Sequence, residues 1–167
     1  MEARLAGADE LRELAKDLRA AGKGDLRKDM VKRLRATVQP IVPEMRRKIR
    51  SLPGGADTRS KKAKAARPRG LRDCTARGVQ AKVSVAGPKV GVRIRVDPRL
   101  FPGGQKNLPR YLNGSLPRWR HETYGHEPVV TQKSHEYFGP VITPRRARVG
   151  AEVIKVLDDV RNQLARG

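Results

Sequence analysis

The chain has little that could cross-link it or anchor it in a membrane. Its 167 residues include a single cysteine, Cys74. A lone cysteine forms no intramolecular disulfide and no thiolate metal cluster, so the fold must assemble by burial alone. No apolar run is long enough to cross a bilayer, and the stretch after Met1 lacks an apolar signal segment. We therefore expect a soluble chain that is made in the cytoplasm and has no membrane partner.

Acidic side chains are scarce compared with basic ones. The chain has 17 Asp and Glu against 38 Lys and Arg, which gives a net charge of +21. Solubility alone does not require such an imbalance, so it indicates a polyanionic partner, of which nucleic acid is the first candidate. The alternative is that the Arg-rich, Ala-rich and Gly-rich composition follows from a high-GC genome and has no functional meaning.

Aromatic residues are few and confined to one part of the chain. All six lie between Phe101 and Phe138, although they make up only 4% of the sequence. Because aromatic side chains bury the most apolar area per residue, the segment 101–138 is predicted to be a structural hub. We expect the Trp119→Ala variant to lose its fold. The predicted hub residues are Tyr111, Trp119, His121, Tyr124, Gly125, Tyr137 and Phe138.

Helical periodicity is clear over residues 9–52. Asp9 to Ala21 is predicted to be a short helix, and Asp25 is a plausible N-cap for a second, longer one. Pro40 and Pro43 each remove a backbone donor, so a kink or a break is expected there. The apolar positions continue in phase past both prolines, which favours one bent helix. These positions are Leu26, Met30, Leu34, Val38, Ile41, Met45, Ile49 and Leu52.

Residues 53–70 contain no apolar periodicity and are predicted to form a flexible basic loop. Such a loop is either solvated and idle or ordered only by a partner, and the sequence leaves both alternatives open. We interpret its cations as candidate contacts to nucleic acid or to a partner protein. They are Arg59, Lys61, Lys62, Lys64, Arg67 and Arg69.

Residues 79–96 carry the clearest strand signal in the sequence. Aliphatic residues alternate with polar ones from Val79 to Val85 and again from Val90 to Val96, on either side of a turn. This pattern predicts an antiparallel hairpin, which is unstable alone and needs helices over its apolar side. The opposite face would be exposed and carries three more candidate contact residues, Lys82, Arg93 and Arg95.

The C-terminal part is predicted to complete an α+β domain. Residues 129–131 could add a third strand to the sheet, and a helix over residues 140–165 carries a valine stripe. Pro140 and Pro144 are tolerable only in the opening turns of that helix. The whole chain is thus expected to form one domain, in which a small antiparallel sheet is covered by a long helix from the N-terminal half and by the C-terminal helix.

No group of residues has the arrangement that catalysis requires. His121 and His126 are five residues apart, a spacing that turns them away from each other on a helix, unlike the spacing of four in zinc proteases. His135 could supply a third ligand only if the fold brought it close. No serine has the context of a nucleophile, and Cys74 has no adjacent base. We expect neither an enzyme nor a cofactor; a metallohydrolase using the three histidines is the remaining enzymatic alternative.

Six short motifs follow one another along the chain: Gly70-Leu71-Arg72, Leu108-Pro109-Arg110-Tyr111-Leu112, Trp119-Arg120-His121, Tyr124-Gly125, Val130-Thr131-Gln132 and Tyr137-Phe138-Gly139-Pro140-Val141-Ile142. Together they resemble the motifs of neck or tail-completion proteins of long-tailed bacteriophages. The resemblance covers about residues 9–165 and is most specific over residues 108–142. Thr123 stands where many relatives have an acidic residue, and Glu122 comes one place earlier.

The resemblance implies a structural virion protein that joins head to tail as a ring around the DNA channel. Its implied partners are other copies of itself in a ring of six, the adjacent connector and tail proteins, and the genomic double-stranded DNA. The implied location is the virion neck or tail. The alternative function is a free, basic protein that binds nucleic acid without sequence preference, through the phosphate backbone.

Overall fold

Three helices lie in the N-terminal third of the protein. The computed structural model describes residues 2–4, 8–53, 71–86, 90–101, 106–123 and 126–166. Helix α1 spans Ala8–Ala20, α2 spans Gly24–Val38 and α3 spans Ile41–Arg50. Apolar residues three and four positions apart share one side of each helix, and this side faces the core. Those fully or nearly fully buried include Leu11, Leu14, Leu18, Met30, Leu34, Val38, Ile41, Met45 and Ile49.

Pro40 divides the expected bent helix into two. Neither Pro40 nor Pro43 has an N–H to donate to the carbonyl four residues earlier, so two helical bonds, three positions apart, cannot form. The break expected at the prolines is therefore present as a separation between α2 and α3. Gln39 and Pro40 nevertheless keep right-handed helical dihedral angles. Because the turn stays helical, the buried positions continue in phase across it.

A three-stranded antiparallel sheet contains the predicted hairpin. The short helix α4, Leu71–Gly78, leads into β2, Val79–Ser84, which pairs with β3, Gly91–Val96. This pairing confirms the hairpin. The third strand of this sheet is β1, Glu2–Arg4, which pairs with the other edge of β3 and gives the order β1-β3-β2. Strand β3, predicted as half of a hairpin, is therefore the central strand.

A second antiparallel sheet of two strands lies within the aromatic segment 101–138. Strand β4 is Arg118–Thr123, and β5 is His126–Lys133. The register places Arg118 opposite Lys133 and shifts between Glu122 and Thr123. The strand expected at residues 129–131 is thus present within β5. It does not extend the hairpin sheet, because its backbone pairs with β4.

The C-terminal region is a short helix followed by a long one. Helix α5, Leu108–Arg110, continues into a π-helical turn, Tyr111–Ser115, ahead of β4, and α6, Phe138–Ile142, follows β5. A 3-10 turn with Pro144, Thr143–Arg145, separates α6 from α7, Arg146–Ala165. The predicted single helix over 140–165 is therefore interrupted at this turn. The predicted stripe is buried at Val149, Val153, Val156 and Val160.

The helices and the hairpin sheet enclose one core of buried side chains. Helices α2 and α3 pack on β2, and α7 packs on α2 and α1. An ion pair of 2.5 Å between Arg33 of α2 and Asp159 of α7 lies at the edge of this helix contact. The described core is aliphatic except for Phe101, Tyr137 and Phe138. The fold is α+β, as predicted.

None of the helices in the described ranges combines the length and the apolar character needed to cross a membrane.

Candidate functional site

A buried junction fixes the segments on either side of the second sheet. The side-chain Oδ1 of Asn113 accepts hydrogen bonds from the backbone N–H groups of Tyr137, at 3.0 Å, and Phe138, at 2.8 Å. Phe138 is the first residue of α6, so the amide caps donors that the helix cannot satisfy itself. Tyr137 Oη donates to the carbonyl of Pro109 over 2.8 Å, and its burial raises its pKa above the ordinary value.

The predicted hub residues fall into two groups in the structure. Tyr137 and Phe138 are buried, with ring centroids 5.3 Å apart, and Tyr111 is half-buried in the turn that contains Asn113. These three lie at the junction. Trp119 and His121 are placed on β4 by their backbones. Their side chains, and residues 124 and 125, lie outside the described part of the chain.

The second sheet is joined to the rest of the protein at its base. We call strands β4 and β5 together the ribbon. Within the described residues, these strands contact each other extensively and contact no other helix or strand to a comparable extent. At the base, Ser134 N and Oγ each donate to the carbonyl of Pro117 over 3.2 Å, and His135 N donates to the carbonyl of Leu112 over 2.8 Å. The junction therefore fixes the start of β4 and the end of β5, which lie together at the base of the ribbon.

One face of the ribbon is basic near its base. Arg118 and Arg120 share a face because they are two residues apart on one strand. Lys133 joins them from the other strand, since it is the register partner of Arg118. All three side chains are exposed. Among the described side chains, none of the three has a carboxylate within ion-pair distance. The hydrophobic Leu116, just before β4, is also 45% exposed.

The polar face of the three-stranded sheet is less open than the sequence predicted. Lys82 is exposed, but its register partner Arg93 is only 4% exposed and Arg95 is half-buried. The difference arises because β1 pairs along the second edge of β3 and makes it the central strand, flanked on both sides. In register, Arg4 of β1 stands beside Arg93, so three basic positions form a row across the sheet.

Two arginines near this sheet keep a buried donor without an acceptor. Arg46 donates from Nη2 to the carbonyl of Val79 over 2.9 Å, but its Nε is buried and makes no hydrogen bond to any described residue. The Nε of Arg95 is in the same situation. A buried donor without a partner costs about 1–3 kcal/mol, so an anionic group brought by a partner would stabilise either arginine.

The six basic loop residues predicted to contact nucleic acid or a partner protein lie outside the described residues. They are Arg59, Lys61, Lys62, Lys64, Arg67 and Arg69. Of the predicted contact residues, the structure therefore positions Lys82, Arg93 and Arg95. The ribbon adds Arg118, Arg120 and Lys133, which sequence reasoning did not select.

Asp97 has the most strongly shifted carboxyl group of the described residues. Its side chain caps the 3-10 turn Pro98–Leu100 by accepting from Arg99 N at 3.0 Å, and it pairs with the Arg99 guanidinium at 2.7 Å. These bonds, that from the guanidinium first, hold the pKa of Asp97 well below its ordinary value. Since both partners belong to the turn that ends the hairpin, we assign the pair a structural role.

No metal centre can be assembled from the described residues, where no three His, Cys, Asp or Glu side chains come together. The histidine alternative requires His121, His126 and His135 to converge. The imidazoles of His121 and His126 lie outside the described side chains, and His135 is bonded through its backbone at the base of the ribbon.

Comparisons with known proteins yield no relative. No family model, no curated protein and no solved structure matches the chain. The resemblance to phage neck proteins therefore stays a prediction from the motifs. The observations that bear on function are the net charge, the ribbon and the junction that anchors it.

Proposed function

We propose that the protein is a structural subunit of the neck or tail-completion region of a long-tailed bacteriophage. Copies of the chain form a ring, of six subunits, that joins head to tail around the DNA channel. The adjacent connector and tail proteins lie on either side of the ring, and the protein resides in the virion. The proposal assigns no catalytic residue and no cofactor.

The single observation that carries this proposal is the ribbon. A two-stranded ribbon is at best marginally stable alone and gains stability by packing against another surface. Within the described residues, this one packs against no helix or strand of its own chain to any large extent. Its base is nevertheless fixed by the buried amide of Asn113 and by the ring contact between Tyr137 and Phe138. A neighbouring subunit would supply the missing surface.

The charge of the chain suits a subunit that surrounds DNA. A net charge of +21 attracts the phosphate backbone without selecting a sequence. A channel through which the whole genome passes needs this independence of sequence. The described cations available for this include Lys82, which is exposed. A ring also requires that one surface of each subunit fits a different surface of the next. Repeating this head-to-tail contact by rotation closes the ring.

The test is the molar mass of the purified chain in solution, measured by light scattering over a range of concentrations. We expect one assembled species at a fixed multiple of 18.6 kDa. That species should retard duplex DNA weakly and without sequence preference. A chain that stays monomeric at every concentration would contradict the proposal.

The same net charge favours a second candidate, a free protein that binds nucleic acid independently of sequence. Such a protein would retard DNA as a monomer or dimer. Its affinity would fall steeply with salt, because each neutralised phosphate releases counterions. The two candidates are separated by measuring mass and the salt dependence of DNA retardation on one preparation. Strong retardation by a monomer supports the second candidate.

A further inference from the structure

Helix α1 carries an acidic flank that is unusual in so basic a chain. Glu10, Glu13 and Asp17 are three and four residues apart, so they lie along one side of the helix, and all three are exposed. Within the described residues, the ion pair on this helix joins Asp9 and Arg12 instead. Like charges at these spacings repel each other and destabilise a helix. The acidic flank would therefore be stabilised by cations from outside the helix.

The base of the ribbon carries a group of like charges of the opposite sign. Arg118 and Lys133 are directly opposite each other in the register, and Arg120 lies on the same face two residues further on. Like charges directly across a strand pair are destabilising, and these three side chains are exposed without an ion-pair partner among the described residues. The basic face of the ribbon would be stabilised by carboxylates from outside.

The two surfaces also match in size. Seven residues of helix between Glu10 and Asp17 span about 10 Å at about 1.5 Å per residue. The ribbon face measures about 7 Å from Arg118 to Arg120 and about 5 Å across to Lys133. Each surface carries three charges, and the signs are opposite. The ribbon makes its extensive contacts within itself, so the flank of its own chain does not already occupy it.

We propose that the basic face of the ribbon of one subunit docks on the acidic flank of α1 of a second copy of this chain. The contact joins two different surfaces and is therefore head-to-tail, the type that propagates into a ring. The inference rests on the proposed function, since it needs self-association, and it names the surfaces that the ring would use. Exposed charge pairs contribute mainly orientation and association rate, so the contact should weaken with salt.

A charge exchange tests this contact. The ribbon variant R118E/R120E/K133E and the flank variant E10K/E13K/D17K each place like charges on both sides of the contact. Each variant alone should raise the Kd for self-association by at least about 100-fold. In a 1:1 mixture, the reversed ribbon of one variant faces the reversed flank of the other, and the unreversed surfaces face each other. The mixture should therefore assemble to the wild-type mass.

A matched control changes three exposed cations elsewhere by the same total charge. The variant R146E/R148E/K155E, on α7, should assemble as the wild type does if the position of the charges decides the outcome. Circular dichroism and thermal unfolding check that each variant keeps the fold. A variant that fails this check is replaced by its milder form, R118Q/R120Q/K133Q or E10Q/E13Q/D17N. This form removes the attraction without reversing it, so it should weaken self-association less, and mixing the two neutral forms should restore only half of the contacts.

Three results would overturn the inference. If the wild type forms a ring and both variants still assemble as well as it does, the ribbon contact is wrong while the proposed function stands. If both folded variants fail alone and also fail when mixed, the two surfaces do not face each other. A wild type that never self-associates contradicts both proposals. Loss of DNA retardation in the ribbon variant, with assembly unchanged, would instead assign the basic face to nucleic acid.

Discussion

Asn113 links the two segments that meet at the base of the ribbon. Its one amide oxygen accepts two backbone N–H groups, and all three residues involved are buried. Because the two N–H donors are buried, solvent cannot readily take the place of the amide. A single polar side chain thus ties the turn before the ribbon to the helix after it. This role could not be predicted from the sequence, because an asparagine before glycine is typical of an ordinary turn.

The variant N113A should lower the free energy of unfolding by about 3 kcal/mol, since it leaves two buried donors without an acceptor. Urea denaturation at pH 7 measures the change. The control N107A removes an exposed asparagine that makes no cap hydrogen bond, and it should cost less than about 0.5 kcal/mol. Equal losses in the two variants would show that the Asn113 bonds do not stabilise the junction.

Asp97 makes stability depend on pH in the acid range. Its folded-state pKa is lowered, mainly by the hydrogen bond from Arg99, so the ionised form is favoured in the folded state. This contribution is fully present above the unfolded pKa, about 4, and is lost as the pH falls towards the lower folded value. The Arg99 side chain is 81% exposed, so solvent screening keeps the contribution to about 1 kcal/mol at pH 7.

The variant D97N should therefore be less stable than the wild type by about 1 kcal/mol at pH 7, and the difference should shrink between pH 4 and pH 2. Urea denaturation across this range measures it. The variant D29N removes one negative charge from an exposed site and controls for net charge. A difference between D97N and wild type that is constant with pH would contradict the assignment.

At the scale of elements, the sequence predicted those whose periodicity is strong. The alternation of apolar and polar residues through Val79 and Val92 predicted the hairpin, and the apolar stripe through Val153 predicted the last helix. Burial of one side imposes a period of two residues on a strand and of about 3.6 residues on a helix. Strand β1 was missed because three residues, Glu2–Arg4, carry no periodic signal and pair only through the tertiary fold. That pairing makes β3 central, which is why Arg93 is buried and not exposed.

The candidate site was predictable only in part. The basic composition predicted an anionic partner. The strand Arg118–Thr123 was not predicted, because its residues were assigned to the aromatic hub, although charged and aromatic residues alternate from Arg118 to His121. The pairing of Arg118 with Lys133 depends on the register and so is visible only in the structure. The spacing of Glu10, Glu13 and Asp17 is visible in the sequence, but it does not by itself indicate a contact surface.

Gly114 lies in the turn that enters the ribbon and has a φ of +98°, in the left-handed region. The variant G114A should lower the free energy of unfolding by about 1–2 kcal/mol through backbone strain. An added Cβ would meet only Ser134 Oγ, at 3.9 Å, so steric overlap is not involved. The control G24A, with open space and no positive φ, should be neutral or slightly stabilising. Equal urea midpoints for the two variants would contradict the strain argument.

At the scale of the whole molecule, the net charge of +21 works against the compact state. Repulsion among the excess cations destabilises the fold, and salt screens it. We expect the Tm of the dilute, unassembled chain to rise by about 3 °C or more between 20 mM and 200 mM NaCl. Sucrose in place of salt controls for general solvent effects. A falling Tm would show that attractive ion pairs, such as Arg33 with Asp159, outweigh the repulsion.

The central claim is that copies of this chain close into a ring, and electron microscopy of the purified protein tests it most directly. Particles should be annular, of uniform copy number, with an open centre. The ribbon of each subunit should lie against α1 of the next one. A population of monomers and irregular aggregates under conditions where the chain is folded would contradict the account.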